Sequence, residues 1–169
     1  MKKHKAKIKF QNIKKSNNEI YGDIIVRSCS ITPIKATKEY YVKATDEYPI
    51  LFVIAALTNG ISIFKGIGGL ANKESDRIKE MQKVLNQIGI KNIATKNEIK
   101  IYGKNSIQNK NKSINVPRLG DHRICMATQI LSLVTGIKTK INNFETVYTS
   151  SPSFLKIIKS LGGEFEIHK

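Results

Sequence analysis

The chain has 169 residues, 40% of them hydrophobic, and a formal net charge of +16 at pH 7. That length and apolar share suit one soluble domain with a real core, and the charge favours anionic partners such as phosphates, nucleic acid or acidic membrane surfaces. Cys29 and Cys125 stand alone, without a CxxC pair, which argues against a disulfide framework or a zinc site and fits reduced thiols in a cytoplasmic protein. Lys, Ile and Asn are abundant along the whole chain, so compositional drift competes with a local basic patch as the source of the surplus.

In chain order, the start "MKKHKAKIKF" is basic but lacks the apolar run of a signal peptide. "AKIKF" and "EIYGDIIVR" read as a hairpin across a polar turn, and "SITPIKA" and "EYYVKA" continue the strand-like texture. Pro49 then opens an apolar run that ends at Asn59-Gly60, the pattern of a buried helix. "YPILFVIAAL" is too short to span a bilayer, so no membrane role is expected.

"ISIFKG" reads as a strand. Ile78, Met81, Val84, Leu85 and Ile88 follow at helical spacing, with Gly89 as the stop. "NIATKN" and "EIKIYG" make a second hairpin, and "SIQNKNKSINVPRLG" has the texture of a long loop. "DHRICMATQILSLVTG" predicts a buried helix and "IKTKINN" a strand. "SPSFLKIIKSLGG" predicts a helix with Phe154, Ile157, Ile158 and Leu161 on one face, and "EFEIH" a closing strand. The chain is α/β, with a strand–helix–strand–helix–strand–strand order in the middle, a shorter version at the end and no internal domain boundary.

Two helix starts carry charges of the wrong sign. "KESDRI" places Lys73 and Arg77 among Glu74 and Asp76, and "GDHRI" places His122 and Arg123 behind Asp121. A helix N-terminus carries unpaired N–H groups and partial positive charge, so acids suit it and cations do not. For each helix taken alone, an acid cap with a cation reaching into solvent is a sufficient account. Two instances beside Gly-containing loops point instead to a shared anion held by N–H groups and guanidinium forks. Ser75 is the expected N-cap of the first helix and Asp121 that of the second, with Asp76 capping or pairing structurally.

The ordered set "DEYPILFVIAAL", "KESDRI", "GDHRICMA" and "TSSPSF" resembles the C-terminal part of the 5-enolpyruvylshikimate-3-phosphate synthase family, from about Lys7 onward and closer to its bacterial branch with an IDEYP-like motif. The resemblance implies part of an enolpyruvyl-transferase domain, an inside-out α/β barrel built from βαβαββ units. Residues 1–169 would form a single partial domain, with the N-terminal domain absent. It implies transfer of enolpyruvate from phosphoenolpyruvate to the 5-hydroxyl of shikimate 3-phosphate, through a tetrahedral intermediate and with loss of phosphate, without metal or organic cofactor.

The same resemblance assigns roles. Asp46 would bind shikimate 3-phosphate and take its hydroxyl proton, while it or Glu47 also stands where the helix entered at Pro49 needs a cap. Glu74 would protonate and later deprotonate the methylene carbon of phosphoenolpyruvate. Lys73 would contact substrate, Arg77 and Arg123 would grip phosphoenolpyruvate, and His122 would either join them or make a local bond at its helix start. Departures are visible as well. A lysine that some members carry before the last helix has no counterpart among Tyr148, Thr149, Ser150 and Ser151. Ser151 replaces an aromatic, and Gly69 and Ala71 stand where polar residues are usual.

Phosphoenolpyruvate groups are retained and most acceptor groups are missing, so the chain by itself is expected to be inactive or nearly so. Joint positioning of two reactants is worth about 7–11 kcal/mol in favourable cases. A separate N-terminal domain chain, or self-association over an uncovered edge or apolar face, is expected. Two readings compete: a non-catalytic remnant of a broken gene, and a basic nucleic-acid module. The latter is opposed by the absence of zinc-finger spacing, Gly-aromatic stacking motifs and a basic recognition helix.

Overall fold

A computed structural model describes residues 1–107 and 113–168. The first unit is an antiparallel hairpin of β1 (Lys7–Ser16) and β2 (Glu19–Arg27). Its two-residue turn, Asn17-Asn18, has φ of 48° and 64°. Positive φ at both central positions is what the type I′ turn demands and what Asn tolerates best after Gly. A bulge between Gln11 and Lys14 shifts the register partway along.

The central unit runs β3 (Lys35–Ala36), α1 (Lys38–Lys43), α2 (Tyr48–Ala56), β4 (Gly60–Lys65), α3 (Arg77–Gln87), β5 (Asn92–Ala94) and β6 (Glu98–Gly103). Its sheet has the order β3-β4-β6-β5, with β3 parallel to β4 and the remaining pairs antiparallel. Setting the short α1 aside, this is a complete βαβαββ unit. The last unit runs β7 (Ser113–Val116), α4 (His122–Thr135), β8 (Lys138–Ile141) and α5 (Phe154–Ser160), with β7 and β8 paired in parallel.

One core joins the last two units. Phe52 and Phe64 pack edge to face with centroids 5.0 Å apart, and Tyr48 packs against both. Leu85, Ile99, Ile101, Ile114, Ile124 and Leu131 are fully buried around them. Burying a side chain of this kind stabilises by about 1.5–3 kcal/mol. Helix α2 is apolar on nearly every face because it lies between β6, α3 and α4. No helix among the described residues is long and apolar enough to cross a membrane.

Four expectations are corrected. "EYYVK" is helix α1, not a strand: β3 stops after Ala36, and Tyr41 turns back to pack on Tyr48 at 5.6 Å. Strand propensity yields here to a tertiary contact. "SINV", read as loop, is β7, with Ile114 and Val116 buried and a parallel partner in β8; residues 108–112 of that segment lie outside the described ones. "EFEIH" forms no strand, and Phe165 and Ile167 are exposed. A strand needs a neighbour to accept its hydrogen bonds, and none of the described strands flanks this segment. In α5 only Ile158 of the expected apolar face is buried, while Ile157 and Leu161 are exposed.

Candidate active site

Three helix starts converge on one cluster. Asp121, fully buried, is the N-cap of α4: its Oδ1 accepts from the backbone N–H groups of Arg123 (3.0 Å) and Ile124 (3.3 Å). Its Oδ2 accepts from the Ser75 hydroxyl at 2.9 Å and from Arg77 Nε at 3.0 Å. Asp121 therefore cross-links the starts of α3 and α4. Asp76, rather than the expected Ser75, caps α3 by accepting from the Lys79 N–H, which leaves Ser75 free for Asp121.

Arg77 is the hub. Its guanidinium is buried, with Nε on Asp121, Nη1 on Asp46 Oδ1 at 3.0 Å and Nη2 on Glu74. Three of its five N–H donors are engaged with three different carboxylates. Burial works against the Arg77 charge, but the hydrogen bonds and charges of Asp121, Asp46 and Glu74 together outweigh it and raise its pKa. The expected anion-gripping arginine is thus committed, in this structure, to holding carboxylates in place.

Asp46 lies in the short turn that enters α2 and gathers the remaining cations. Lys73 Nζ is 3.5 Å from its Oδ1 and Arg123 Nη2 is 3.8 Å from its Oδ2. The hydrogen bond from Arg77, helped by the charges of Arg123 and Lys73, lowers the Asp46 pKa despite some burial. Arg123 Nη1 also donates to Glu47 Oε1 at 3.0 Å and to the Asp46 carbonyl at 3.1 Å. His122 is half-buried as the first residue of α4, and no ion pair or side-chain hydrogen bond ties it to the cluster among the described residues. Asp46, Lys73, Glu74, Arg77 and Arg123 are brought together; His122 stands beside them.

The sequence reading missed three participants. Asp121 was expected only as a cap, Ser75 only as a cap, and Glu47 only as a second candidate for the helix at Pro49. Adjacency to a motif was their one signal. With them counted, four carboxylates (Asp46, Glu47, Glu74, Asp121) face three cations (Lys73, Arg77, Arg123). The wrong-signed charges of Lys73, Arg77 and Arg123 are paired with acids of the same cluster. Beside the cluster opens a pocket of about 160 Å³ lined by Asp46 and Arg123 together with Ile50, Met126, Ile130 and Phe154. Gly69 is accounted for as well: a Cβ there would fall 2.2 Å from Tyr41 Oη.

A sequence model of the family described as EPSP synthase (3-phosphoshikimate 1-carboxyvinyltransferase) matches residues 4–158. The 3-phosphoshikimate 1-carboxyvinyltransferase of Clostridium tetani is 34% identical over 159 residues, covering 94% of this chain and 36% of the relative. That of Aquifex aeolicus is 34% identical over 157 residues, 90% of this chain and 36% of the relative. A solved EPSP synthase from Acinetobacter baumannii superposes with a TM-score of 0.87 at 29% identity, covering 99% of this chain and 39% of that one. The enolpyruvyl transferase NikO from Streptomyces tendae, at 12% identity and a TM-score of 0.64, shares the fold. The chain spans about a third of the length of the curated relatives it matches. It belongs to the EPSP synthase (3-phosphoshikimate 1-carboxyvinyltransferase) family.

Proposed function

We propose that residues 1–169 are part of one synthase domain and supply its half of an interdomain site for transfer of enolpyruvate from phosphoenolpyruvate to the 5-hydroxyl of shikimate 3-phosphate. The observation that carries this is the gathering of Asp46, Lys73, Glu74, Arg77 and Arg123 from three separate helix starts into one ion network. The remaining part of the fold, in the same polypeptide or another, supplies most contacts to the acceptor.

In the network as it stands, every cation already has a carboxylate. Phosphoenolpyruvate binds by competing with these carboxylates for Lys73, Arg123 and Arg77, with bidentate forks matched to carboxylate and phosphate. Asp46 then loses part of the positive field that lowers its pKa. It changes from a firmly ionised partner of arginine into a better acceptor for the hydroxyl proton of shikimate 3-phosphate. Glu74, oriented by Arg77, takes up a proton from water and delivers it to the methylene carbon while the hydroxyl oxygen bonds to the adjacent carbon and the hydroxyl proton passes to Asp46. It takes a proton back from the resulting methyl group as the C–O bond to phosphate breaks. Arg77 is thus a positioning residue for two carboxylates as well as an anion ligand.

The test is phosphate release from phosphoenolpyruvate and shikimate 3-phosphate by this chain alone and mixed with the N-terminal remainder of the Clostridium tetani relative. Release only in the mixture, lost in Glu74→Gln, is the expected result. No release from a mixture in which both parts are folded and associated overturns the proposal.

A further inference from the structure

Four carboxylates against three cations leave the cluster with one negative charge in excess, yet the ligand proposed for it is an anion. Such a ligand meets least resistance where an acid gives way, and the four acids are held with very different firmness. Asp121 is fully buried and accepts from two backbone N–H groups, the Ser75 hydroxyl and Arg77. Asp46 is shared by Arg77, Lys73 and Arg123. Glu74 is hydrogen-bonded to the buried guanidinium of Arg77. Glu47 differs from all three: its side chain is 58% exposed, and Arg123 is its one partner among the described residues.

Arg123 is held in a way that survives the loss of Glu47. Its Nη1 donates to Glu47 Oε1 at 3.0 Å and also to the main-chain carbonyl of Asp46 at 3.1 Å. The second bond goes to backbone and keeps the guanidinium aimed when the first is broken. Nη2 lies 3.8 Å from Asp46 Oδ2, an ion-pair distance too long for a hydrogen bond. A carboxylate or phosphate that grips this fork at two points therefore contends with Glu47 at Nη1 and with no hydrogen-bonded acceptor at Nη2 among the described residues. Glu47 also has somewhere to go. It is the N-cap residue of α2, yet its side chain accepts no hydrogen bond from that helix. Released from Arg123, the carboxylate faces water beside a helix N-terminus, whose partial positive charge favours an acid.

We infer that Glu47 is a built-in competitor for phosphoenolpyruvate: its carboxylate occupies the Arg123 fork and is the one acid of the cluster that leaves when the ligand binds. This rests on the half-site reading above and names the residue that sets the affinity of that site. Departure of Glu47 turns four acids against three cations into three against three, before the charge of the ligand is counted. Asp46, Glu74 and Asp121 keep their places. A role for Glu47 in orienting Arg123 predicts the opposite sign, because removing an orienting acid loosens the guanidinium and weakens binding.

The experiment measures phosphoenolpyruvate binding by calorimetry to the full chain, to Glu47→Gln, to Arg123→Ala and to the double variant, at one fixed ionic strength. Glutamine keeps the shape of the side chain and removes its charge. An exposed ion pair contributes up to about 1 kcal/mol, and about 1.4 kcal/mol is tenfold in affinity. Glu47→Gln is therefore expected to bind about two- to fivefold tighter than wild type, and the gain is expected to vanish in the Arg123→Ala background. Unchanged or weaker binding by Glu47→Gln overturns the inference; if Arg123→Ala still weakens binding at least tenfold, the half-site reading stands. A gain that persists without Arg123 overturns it as well, since Glu47 then acts through its general field and not on the fork. If the chain alone shows no binding, the same variants are measured in a mixture with the N-terminal remainder of the Clostridium tetani relative, and no binding there overturns both readings.

Discussion

Replacing Arg77 by methionine tests the reading of the cluster at its hub. The substitution keeps much of the side chain's apolar stem and deletes a guanidinium whose side chain is 1% exposed and whose partner Asp121 is 0% exposed. Removing one member of a buried pair strands the other charge and costs about 3–5 kcal/mol. Two features decide where in that range the loss falls. Asp121 keeps the Ser75 hydroxyl and two backbone donors, which favours the lower end. Asp46 and Glu74 are 48% and 45% exposed and regain water, so their lost pairs add about 0–1 kcal/mol each. The expected loss is about 3 kcal/mol. With a urea m-value of about 2 kcal/mol/M the unfolding midpoint falls by about 1.5 M. The same measurement on Asp121→Asn and on the double variant closes a cycle. Contact between the two groups predicts a double variant less damaged than the sum of the singles by about 2 kcal/mol. A loss below about 1 kcal/mol for Arg77→Met, or additivity within about 0.5 kcal/mol, would refute the argument that Arg77 and Asp121 hold the starts of α3 and α4 together.

Gly69→Ala places a methyl group 2.2 Å from Tyr41 Oη, so it should cost about 1–3 kcal/mol in thermal or urea unfolding, with part of the loss restored in Tyr41→Phe; equal losses in both backgrounds would rule out this clash as the cause. Arg123→Ala, whose side chain is 28% exposed and whose partner Glu47 is 58% exposed, should change stability by less than about 1 kcal/mol yet weaken phosphoenolpyruvate binding at least tenfold by calorimetry. Unchanged binding would remove Arg123 from the anion site. Because the Arg77 hydrogen bond lowers the Asp46 pKa, the stability contributed by ionised Asp46 is present above the ordinary aspartate value near 3.9 and is lost as pH falls through the lower folded value. Wild type and Asp46→Asn should therefore converge in stability as pH drops below about 4; a gap that widens toward acid pH would contradict the sign.

Local order was legible in the residues themselves. Pro49 and the following apolar run mark α2, the spacing of Ile78, Met81, Val84 and Leu85 marks α3, and Asp121 before His122 marks the start of α4; each signal lies within one or two turns of the chain. The motif set also pointed to the family and to the neighbourhood of the charged residues. What was not legible depends on contacts between distant residues. Tyr41 against Tyr48 makes a helix of a strand-like segment, β8 makes a strand of "SINV", and the lack of a neighbour leaves "EFEIH" without one. Arg77 shows the difference most clearly. Its wrong-signed charge could be read from its place at a helix start. That three carboxylates from three elements would enclose it is decided 31 and 44 residues away, at Asp46 and Asp121. Hydrogen-bond periodicity and side-chain pattern act over a few residues and are written in the sequence. Charge neutralisation and strand pairing act through space, so only the folded arrangement determines which groups meet.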